Sequence, residues 1–382
     1  MSILSNEQHE LFRQEVRQFA EKEIKPLAAQ LDETESFSVE LSRKMGQAGL
    51  YGIDIPEQYG GRGLDTLSYI IAVEEISRVD SSQGATMAAH NSLGLAPIYN
   101  FGTEEQRKKY VPLLTSGEGL WAFGLTETNA GSDAKGVETL ADEKDDHWLI
   151  NGTKRYITNG SNELMKGITV LALSADAYGK KRFSTILVDR DSEGFSTKRM
   201  LGKMMWRASD TAEIKFDNIK APKENLLGEK NKGLGQMLKT LDSGRLSIAA
   251  MGLGLAQGAF EMALEYSQKR EQFGEKISNF QSISFKLADM AMKIELARNT
   301  LYNACALKDK GLPFGQEAAM SKLYCSEIAK EISDEAVQIF SGQGLFKSSA
   351  IERFYRDQRI LQIGEGTSEI LRMVISKHLG LE

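Results

Sequence analysis

The chain contains little cysteine, histidine and proline. Of its 382 residues, two are cysteine, four are histidine and six are proline. Cys305 and Cys325 lack the spacing of a metal or redox pair, and isolated thiols in acidic helical sequence indicate a reducing compartment. No metal site is expected, because the histidines are scattered as His9, His90, His147 and His378.

Long apolar runs and an excess of basic residues are also absent. No window approaches 18 unbroken apolar residues, so no membrane-spanning helix is expected. The net charge of −6 lacks the basic excess of nucleic-acid-binding proteins, so no nucleic-acid partner is expected. The chain starts with MSILSNEQHELFRQEVRQFAEKEI, which lacks the short basic segment followed by an apolar stretch that is typical of a signal peptide. Its pattern indicates a helix rather than a secretory or transit peptide. We therefore expect a cytoplasmic protein, or a protein of the mitochondrial matrix in a eukaryote.

The hydrophobic pattern divides the chain into three regions. A chain of 382 residues exceeds the length at which single cores usually split into domains, about 250–300 residues. Apolar residues follow helical spacing in residues 1–120, strand spacing in 121–230 and helical spacing again in 231–382. The expected order is therefore helical, β and helical bundle.

The middle region contains the strand signals. WLINGTKRYITNG, ITVLALS and TAEIKFDNIKAP are typical of strands, and the last alternates cleanly through Ala212, Ile214 and Phe216. ADEKDDHW and SADAYGKKR are predicted to be polar turns between strands.

The flanking regions contain the helix signals. Phe12 and Val16 follow the spacing of an amphipathic helix, and Pro112 and Gly117 are expected to interrupt the first helical region. The segment 237–273 can form one helix of roughly 50 Å at 1.5 Å per residue. Three further helices are predicted at 282–310, at 317–340 and after residue 367.

Two segments of the middle region contain possible ligand contacts. GLTETNAGSD gathers Thr126, Ser132 and glycines into a loop that could donate hydroxyl and backbone N–H groups to a ligand. The same residue types also form ordinary solvated turns. KRYITNG places Tyr156 and Thr158 on one strand face, where they could flank a planar ring or form an ordinary β surface. The residues alone leave these alternatives open.

Two helical segments raise the question of nucleotide binding. MGLGLAQG superficially resembles a dinucleotide fingerprint, but it lies inside helix-period sequence rather than between a strand and a helix. We reject a Rossmann site there and expect the small residues to allow close helix packing. In KREQFG, Arg270 could hold a phosphate and Phe273 could pack on a base, although charged residues at a helix end are normally solvated.

LQIGEGTSEILRMVI places one carboxylate, Glu365, between two glycines and apolar flanks. Thr367 is a candidate N-cap for the following helix, and Gly366 would give a bound molecule access to the backbone. That helix is predicted to bury a stripe of Ile370, Leu371, Val374 and Ile375. Apolar surroundings raise a carboxyl pKa and a helix N-terminus lowers it, so the sequence leaves the net shift open. A catalytic base and a capping or surface glutamate both fit the segment.

In this order and spacing, these segments resemble the acyl-CoA dehydrogenase family over essentially the whole chain. GLTETNAGSD is similar to the family's first signature, and QKREQFGEKISNFQ, QIFSGQGL and IGEGTSEI are similar to its C-terminal ones. The resemblance implies an α+β fold with an N-terminal helical domain at 1–120, a middle β-barrel or sandwich domain at 121–230 and a C-terminal four-helix bundle at 231–382. It further implies FAD, an acyl-CoA substrate, an electron-transfer flavoprotein as acceptor, a homotetramer built as two dimers, and a role in fatty-acid or amino-acid catabolism.

The resemblance also implies site residues. Those lining the flavin would be Phe123, Leu125, Thr126, Ser132, Tyr156 and Thr158. Those holding the ADP half, partly across a subunit interface, would be Arg270, Phe273, Gln281, Gln338 to Gly342, Thr367 and Glu369. Those holding CoA would be Ser132, Asp242, Arg245, Gly366 and Lys377.

Glu365 matches the catalytic base of the family. The implied reaction transfers the pro-R α-proton of the thioester to Glu365 while the β-hydrogen leaves as hydride to flavin N5, which gives the trans-2-enoyl-CoA. The thioester oxygen should accept hydrogen bonds from a flavin ribityl hydroxyl and the Glu365 backbone N–H. Closure of an apolar pocket should raise the basicity of the carboxylate.

Several positions depart from the family pattern. Gly244 stands where some relatives carry their base, which leaves a single candidate base in this chain. Gly84 stands where glutaryl-CoA enzymes carry an arginine, so a dicarboxylyl substrate is disfavoured. Gly364 replaces an aromatic residue, and we hypothesise that a bulkier or branched acyl group fits. A kcat/KM that is highest for unbranched butyryl-CoA would contradict this. Tyr156 replaces tryptophan and Thr128 replaces proline, and neither change threatens FAD binding.

Two alternatives remain from other classes. Flavin oxidases and monooxygenases share the fold but usually lack the glutamate, and oxygen uptake by the reduced protein would reveal one. A non-catalytic CoA- or nucleic-acid-binding relative is disfavoured by Glu365 and the acidic charge, and would be favoured by a lack of bound flavin.

Overall fold

Helices with apolar faces form the first part of the chain. The computed structural model describes residues 4–177 and 180–381. The α-helices before the first strand are α1 Glu7–Phe19, α2 Lys25–Glu33, α3 Val39–Gln47, α4 Thr66–Ser77, α5 Ser81–Ala88, α6 Ala96–Phe101 and α7 Glu104–Thr115. The π-helical segments Ala20–Ile24 and Ala89–Leu95 connect α1 to α2 and α5 to α6.

Local sequence sets the ends and faces of these helices. Asp65 caps α4 by accepting a hydrogen bond from the Ser68 backbone N–H at 2.8 Å. Phe12 and Val16 of α1 are buried, as the spacing predicts. Pro112 lies inside α7, so the predicted interruption there is wrong. The proline removes one helical hydrogen bond without ending the helix.

The middle region forms one mixed sheet in the described residues. Its strands are β1 Leu120–Gly124, β2 Leu140–Glu143, β3 His147–Thr158, β4 Met165–Ala177, β5 Lys180–Asp189, β6 Phe195–Arg199 and β7 Thr211–Pro222. The order is β1-β4-β2-β3-β7-β6, with β5 also paired to β4. β1 and β2 both run parallel to β4, and the remaining pairings are antiparallel.

The strand core confirms the predicted alternation and corrects one turn. Ala212, Ile214 and Phe216 of β7 are all buried. ADEKDDHW is only partly a turn, because its first residues form β2, where Ala141 is buried and pairs with Ile150 of β3. In SADAYGKKR, β4 continues to residue 177 and β5 begins at residue 180. Residues 178 and 179 lie outside the described part of the chain.

Long helices form the C-terminal region. They are α8 Gly233–Lys269, α9 Gln281–Asp309, α10 Gly315–Phe340, α11 Ile351–Asp357 and α12 Ser368–His378, with a small hairpin of β8 Glu271–Gln272 and β9 Glu275–Lys276 after α8. α11 was not predicted. A Cβ added at Gly252 of α8 would lie 2.8 Å from the Cys325 backbone oxygen of α10, which confirms that the small residues allow close helix packing. The domain boundaries at 120/121 and 230/231 remain a proposal.

Among the described helices, α8 alone is long and apolar enough to match a membrane span by composition. An 18-residue window of this helix has a mean hydropathy of 1.2, and 78% of the window is buried inside the protein. α8 packs against α4, α9 and α10. Its apolar sequence is therefore accounted for by the protein core.

Candidate active site

Glu365 lies in a strained turn between the 3-10 turn Gln358–Gln362 and α12. Its φ is +54° and that of Gly366 is +102°. A left-handed conformation is costly for a residue with a Cβ, and such outliers concentrate at functional sites. The Thr367 hydroxyl accepts a hydrogen bond from the Ile370 backbone N–H at 3.2 Å, so Thr367 is the N-cap of α12 as predicted.

One carboxylate oxygen of Glu365 is buried and unpaired. The residue as a whole is half-buried, but Oε2 is inaccessible and has no hydrogen-bond partner among the described residues. Burial raises the pKa of Glu365 to about 7, against the opposing charges of Lys322 and Arg245. The net shift, which the sequence left open, is therefore upward, because burial outweighs the charges of Lys322 and Arg245. A general base is most effective when its pKa lies near the working pH.

Gly244 of α8 provides the space for this carboxylate. A Cβ added at Gly244 would clash with Oε2 of Glu365 and would lie 3.1 Å from its carboxyl carbon. The same Cβ would lie 3.1 Å from Cδ2 of Leu93, in the π-helical segment after α5. The glycine that replaces an alternative base in this chain therefore makes room for Glu365.

Two residues implied for CoA, Asp242 and Arg245, lie on either side of Gly244 in α8. Arg245 donates from Nη1 to Asp242 Oδ1 at 2.6 Å, while its buried Nε has no partner within the described ranges. Burial raises the pKa of Asp242, against the opposing charges of Arg245 and His378. Lys377, beside His378 at the end of α12, is exposed. The group leaves cationic donors available to an anionic ligand.

The two motifs implied for the flavin contact each other. Lys154 Nζ on β3 donates to the Leu125 backbone oxygen at 3.1 Å, and the Arg155 backbone N–H donates to the Thr126 oxygen at 2.9 Å. Lys154 also forms a buried ion pair with Glu127 at 2.7 Å. Burial lowers the pKa of Lys154 to about 8, and Glu127 opposes that shift.

The other implied flavin residues are more accessible. Tyr156 is 59% exposed and has φ +61° at an irregularity of β3. Ile157 is buried, and Thr158 on its far side is half-buried, so Tyr156 and Thr158 share an outward face. Phe123 is half-buried and Ser132 is exposed.

Polar contacts join the end of β3 to the helices around Glu365. Asn159 Nδ2 donates to the Thr86 oxygen of α5 at 3.0 Å. The Trp121 backbone N–H of β1 donates to His90 Nδ1 at 3.2 Å, in the segment that also contains Leu93. The strands that precede or carry the flavin motifs are thus joined to α5 and to the π-helical segment that contains Leu93.

Most residues implied for the ADP half lie at the far end of α8 from Gly244 and therefore far from Glu365 of the same chain. α8 rises roughly 39 Å from Gly244 to Arg270 at 1.5 Å per residue. A stacked ring pair, Tyr266 on Phe340 with centroids 4.3 Å apart, joins the distal ends of α8 and α10. The exposed residues at that end are Arg270, Phe273, Gln281, Gln338 and Gly342. Glu369 is also exposed, on α12. Thr367 and Glu369 lie beside Glu365, so one chain places only these two of its implied ADP residues near its own carboxylate.

Sequence reasoning missed Lys322 and Lys154. Both side chains are fully buried. Lys322 occupies the core row of α10 with Ala318 and Cys325, so a lysine on an apolar helical stripe was the available signal. Lys154 lies two residues before Tyr156 in a strand whose other buried residues are apolar. The predicted stripe of α12 is also incomplete, because Leu371 alone among its four residues is buried.

The fold is an α+β fold, and the site contains a carboxyl group with a buried, unpartnered oxygen. No cluster of three or more His, Cys, Asp or Glu side chains that could hold a metal occurs in the described part of the chain. The N-terminal, middle and C-terminal domain models of acyl-CoA dehydrogenase match residues 6–118, 122–219 and 231–380. The chain belongs to the acyl-CoA dehydrogenase family.

Relatives match over nearly the full length. A probable acyl-CoA dehydrogenase, YngJ, of Bacillus subtilis is 46% identical over 99% of this chain and 100% of its own. A short-chain-specific acyl-CoA dehydrogenase of Clostridium acetobutylicum is 44% identical over 98% of each chain.

Solved structures share the fold. Butyryl-CoA dehydrogenase of Megasphaera elsdenii has a TM-score of 0.95 at 40% identity, covering 99% of this chain and 100% of its own. A chain from the electron transferring flavoprotein structure of Acidaminococcus fermentans has a TM-score of 0.95 at 42% identity, covering 99% of each chain. Glutaryl-CoA dehydrogenase of Mycobacterium smegmatis in complex with FADH2 has a TM-score of 0.94 at 30% identity, covering 99% of this chain and 96% of its own.

Proposed function

We propose that Glu365 of this FAD-dependent acyl-CoA dehydrogenase removes the α-proton of an acyl-CoA thioester. The observation that carries the proposal is the buried, unpartnered Oε2 atom of a carboxyl whose pKa burial raises to about 7. Near neutral pH this group exists partly as a carboxylate and is basic enough to accept a proton. The alternatives of an oxidase and of a non-catalytic binding protein find no support among the relatives named above.

The residues present fit a bound flavin. The Leu125–Thr126 backbone is held by β3, and Tyr156 presents an exposed flat ring near Thr158 on the same face. FAD, when bound, supplies the hydride acceptor for the β-hydrogen. We propose that the Thr126 hydroxyl and the nearby backbone bind the polar edge of the ring, while Tyr156 packs on it.

The acyl thioester would lie against the Glu365 turn. We propose that the Glu365 backbone N–H donates to the thioester oxygen, which stabilises negative charge as the α-proton leaves. We propose that Leu93, which lies near Gly244, and Leu371, which lies near Gly366, limit access of water to the carboxylate. Arg245 and the exposed Lys377 would bind CoA oxygens, with Asp242 orienting the guanidinium.

The proposed acyl pocket would have an open wall at Gly364. A Cβ added there would have its nearest neighbour, the Ile360 oxygen, at 3.6 Å, so a side chain could occupy this place. We propose that this space accepts a bulkier or branched acyl group. The relatives named above include short-chain and butyryl-CoA enzymes, so a short main chain with a substituent agrees best with both observations.

We propose that an electron-transfer flavoprotein accepts the electrons and that the enzyme is a homotetramer. A chain of the same fold in an electron transferring flavoprotein structure supports the first proposal. The roughly 39 Å between Gly244 and Arg270 supports the second, because the ADP half then requires a second copy. Exposed apolar side chains along one face of α9 offer it a contact surface: Phe285, Met292 and Leu296.

We also propose a cytoplasmic location, with neither a nucleic-acid partner nor membrane insertion. Cys305 and Cys325 are buried free thiols, as expected in a reducing compartment. The net charge of −6 would repel a nucleic-acid backbone.

A Glu365→Gln variant tests the proposed base. Anaerobic bleaching of the bound flavin by a panel of straight and branched acyl-CoAs is measured for wild type and variant. The variant should retain flavin and bind acyl-CoA but lose bleaching by at least about 10³-fold, since an amide cannot accept the proton. Bleaching at a near wild-type rate would remove the assignment, and fastest wild-type bleaching by butyryl-CoA would contradict the open acyl wall.

A further inference from the structure

One face of α10 holds the segment that carries Glu365. Lys322 Nζ donates to the Gly366 oxygen at 2.6 Å, and Ser326 Oγ donates to the Leu361 oxygen at 2.9 Å. The Glu327 carboxylate accepts hydrogen bonds from Gln362 Nε2 at 2.7 Å and Ser368 Oγ at 2.8 Å. These contacts secure the chain on both sides of the strained residue.

Lys322 differs from the other two groups because it is a buried cation. Its side chain is fully inaccessible, and its one hydrogen bond goes to a neutral carbonyl. Over residues 4–177 and 180–381 it forms no ion pair within 4.0 Å. A buried charge is costly unless a nearby opposite charge or a set of hydrogen bonds compensates it. We therefore expect a carboxylate at slightly longer range to compensate the charge of Lys322.

The carboxylate that Lys322 faces most strongly is Glu365. Burial lowers the pKa of Lys322 to about 8, and Glu365 is the largest charge that opposes this shift. Conversely, Lys322 is the largest charge that opposes the burial of Glu365. The other charged groups that act on Lys322 are Arg245 of α8, Glu327 of α10 and Glu369 of α12. The two buried groups thus stabilise each other's ionised forms.

We propose that Lys322 is the positioning residue of the catalytic base. Its ammonium holds the carbonyl that follows Glu365 and supplies the counter-charge that keeps the carboxylate ionised in its buried pocket. This inference rests on the proposed role of Glu365. An ionised carboxylate can accept the α-proton, whereas a protonated one cannot. The same cation therefore sets both the place and the charge state of the base.

The pH dependence of kcat/KM tests this role in Lys322→Met and Lys322→Gln. The acidic limb of the profile is the pH range in which kcat/KM falls as Glu365 becomes protonated. Loss of the Lys322 charge should move this limb to higher pH by roughly one unit, because a neighbouring cation typically lowers a carboxyl pKa by 1–3 units. Activity near neutral pH should fall roughly tenfold and recover at higher pH. Gln can still donate to the Gly366 oxygen, so its limiting rate at high pH should exceed that of Met.

Lys330→Met is the matched control, since Lys330 lies two turns further along α10 and is exposed. Its acidic limb should coincide with that of wild type. An unchanged limb in both Lys322 variants, or an equal shift in the control, would overturn the inference. If Lys322→Met fails to fold, Lys322→Arg must keep the wild-type limb while Lys322→Gln shifts it. Turnover by Glu365→Gln would instead overturn the proposed function. If Glu365→Gln is inactive but the acidic limb of the Lys322 variants stays at the wild-type pH, this inference alone is overturned.

Discussion

At the scale of single residues, the site depends on glycines at positions where a side chain would not fit. Gly366 takes a φ of +102° that a side chain would strain, and Gly244 leaves the volume that Oε2 of Glu365 occupies. Glu365 itself keeps a Cβ in the left-handed region at φ +54°. Such strain persists only when surrounding contacts impose it, and the bonds from α10 do so here.

Gly244→Ala should displace the Glu365 carboxylate. The added methyl group would clash with Oε2, and a shift of about 1 Å in a catalytic group can cost roughly 10²-fold in rate. We expect kcat to fall by about that factor with flavin content unchanged, measured by steady-state kinetics and the visible spectrum. Gly235→Ala is the control, because a Cβ at this position of α8 meets nothing within 4 Å. Wild-type kcat in Gly244→Ala would show that the carboxylate does not depend on this space.

Two buried lysines serve different local purposes. Lys154 pairs directly with Glu127 at 2.7 Å and fixes the loop that follows β1. Lys322 bonds to a carbonyl at 2.6 Å and leaves its charge to act on the base. Both lysines are buried, so their partners distinguish them. Lys154 has a structural role, whereas Lys322 affects the ionisation of Glu365.

At the scale of elements, buried ion pairs tie α1 and α9 to α4. Glu74 of α4 lies 3.0 Å from Arg298 of α9 and 3.4 Å from Arg13 of α1, and accepts a hydrogen bond from the Tyr302 hydroxyl at 2.7 Å. Glu75 lies 2.7 Å from Arg13. α4 is buried along its whole length, so these charges position the two outer helices on it.

Glu74→Gln should destabilise the fold. The substitution leaves Arg298 without its buried counter-charge, while Arg13 keeps Glu75, and breaking a buried ion pair typically costs roughly 3–5 kcal/mol. We expect a fall of that order in the free energy of unfolding, measured by urea denaturation. Glu265→Gln, which removes an exposed partner of Lys269, should change it by less than about 1 kcal/mol.

The same variant has a defined pH signature. Burial raises the pKa of Glu74, but Arg13, Arg298 and Tyr302 outweigh it, so the net pKa lies below the usual value of 4.5. A depressed pKa in the folded state gives stability that is present above the unfolded value and lost as the pH falls. The difference between wild type and variant should therefore shrink below pH 4.5, and a constant difference there would contradict the ionised pairing.

At the scale of the whole molecule, one chain leaves its implied nucleotide residues and an apolar face uncovered. Phe273 is 96% exposed at the distal end of α8. Phe285, Met292 and Leu296 follow a helical spacing of seven and four residues along α9 and are more than half exposed. Both features suit a surface that another copy covers.

The double variant Phe285→Glu, Met292→Glu should break the proposed tetramer. Charges on an apolar contact face oppose association, and FAD affinity should fall with it because the proposed arrangement takes ADP-binding residues from a second copy. Light scattering should show a smaller assembly, and the ratio of flavin to protein absorbance should drop. Leu11→Glu, at an equally exposed position of α1, should alter neither quantity. A tetramer with full flavin in the double variant would contradict this arrangement.

Elements with a strong period were predictable, and short elements were not. The patterns of α9, α10 and β7 were each found within two residues of the observed bounds, since long amphipathic or alternating runs reveal their buried face. β1, β2, β6 and α11, which span four to seven residues, escaped prediction, and so did the ten-residue β5. Their pairing comes from distant segments, as where β1 joins β4.

The sequence by itself determined the family, the α+β layout, the flavin chemistry and the one candidate base, because spaced motifs and periodicity are local properties of the chain. Tertiary structure alone decided that burial raises the pKa of Glu365, that Gly244 gives its carboxylate room, and that Lys322 of α10 reaches the next carbonyl. These outcomes join residues 43 to 121 positions apart in sequence, so no local pattern encodes them. They depend on packing distances and on the low polarity of the interior, which exist only after the helices assemble.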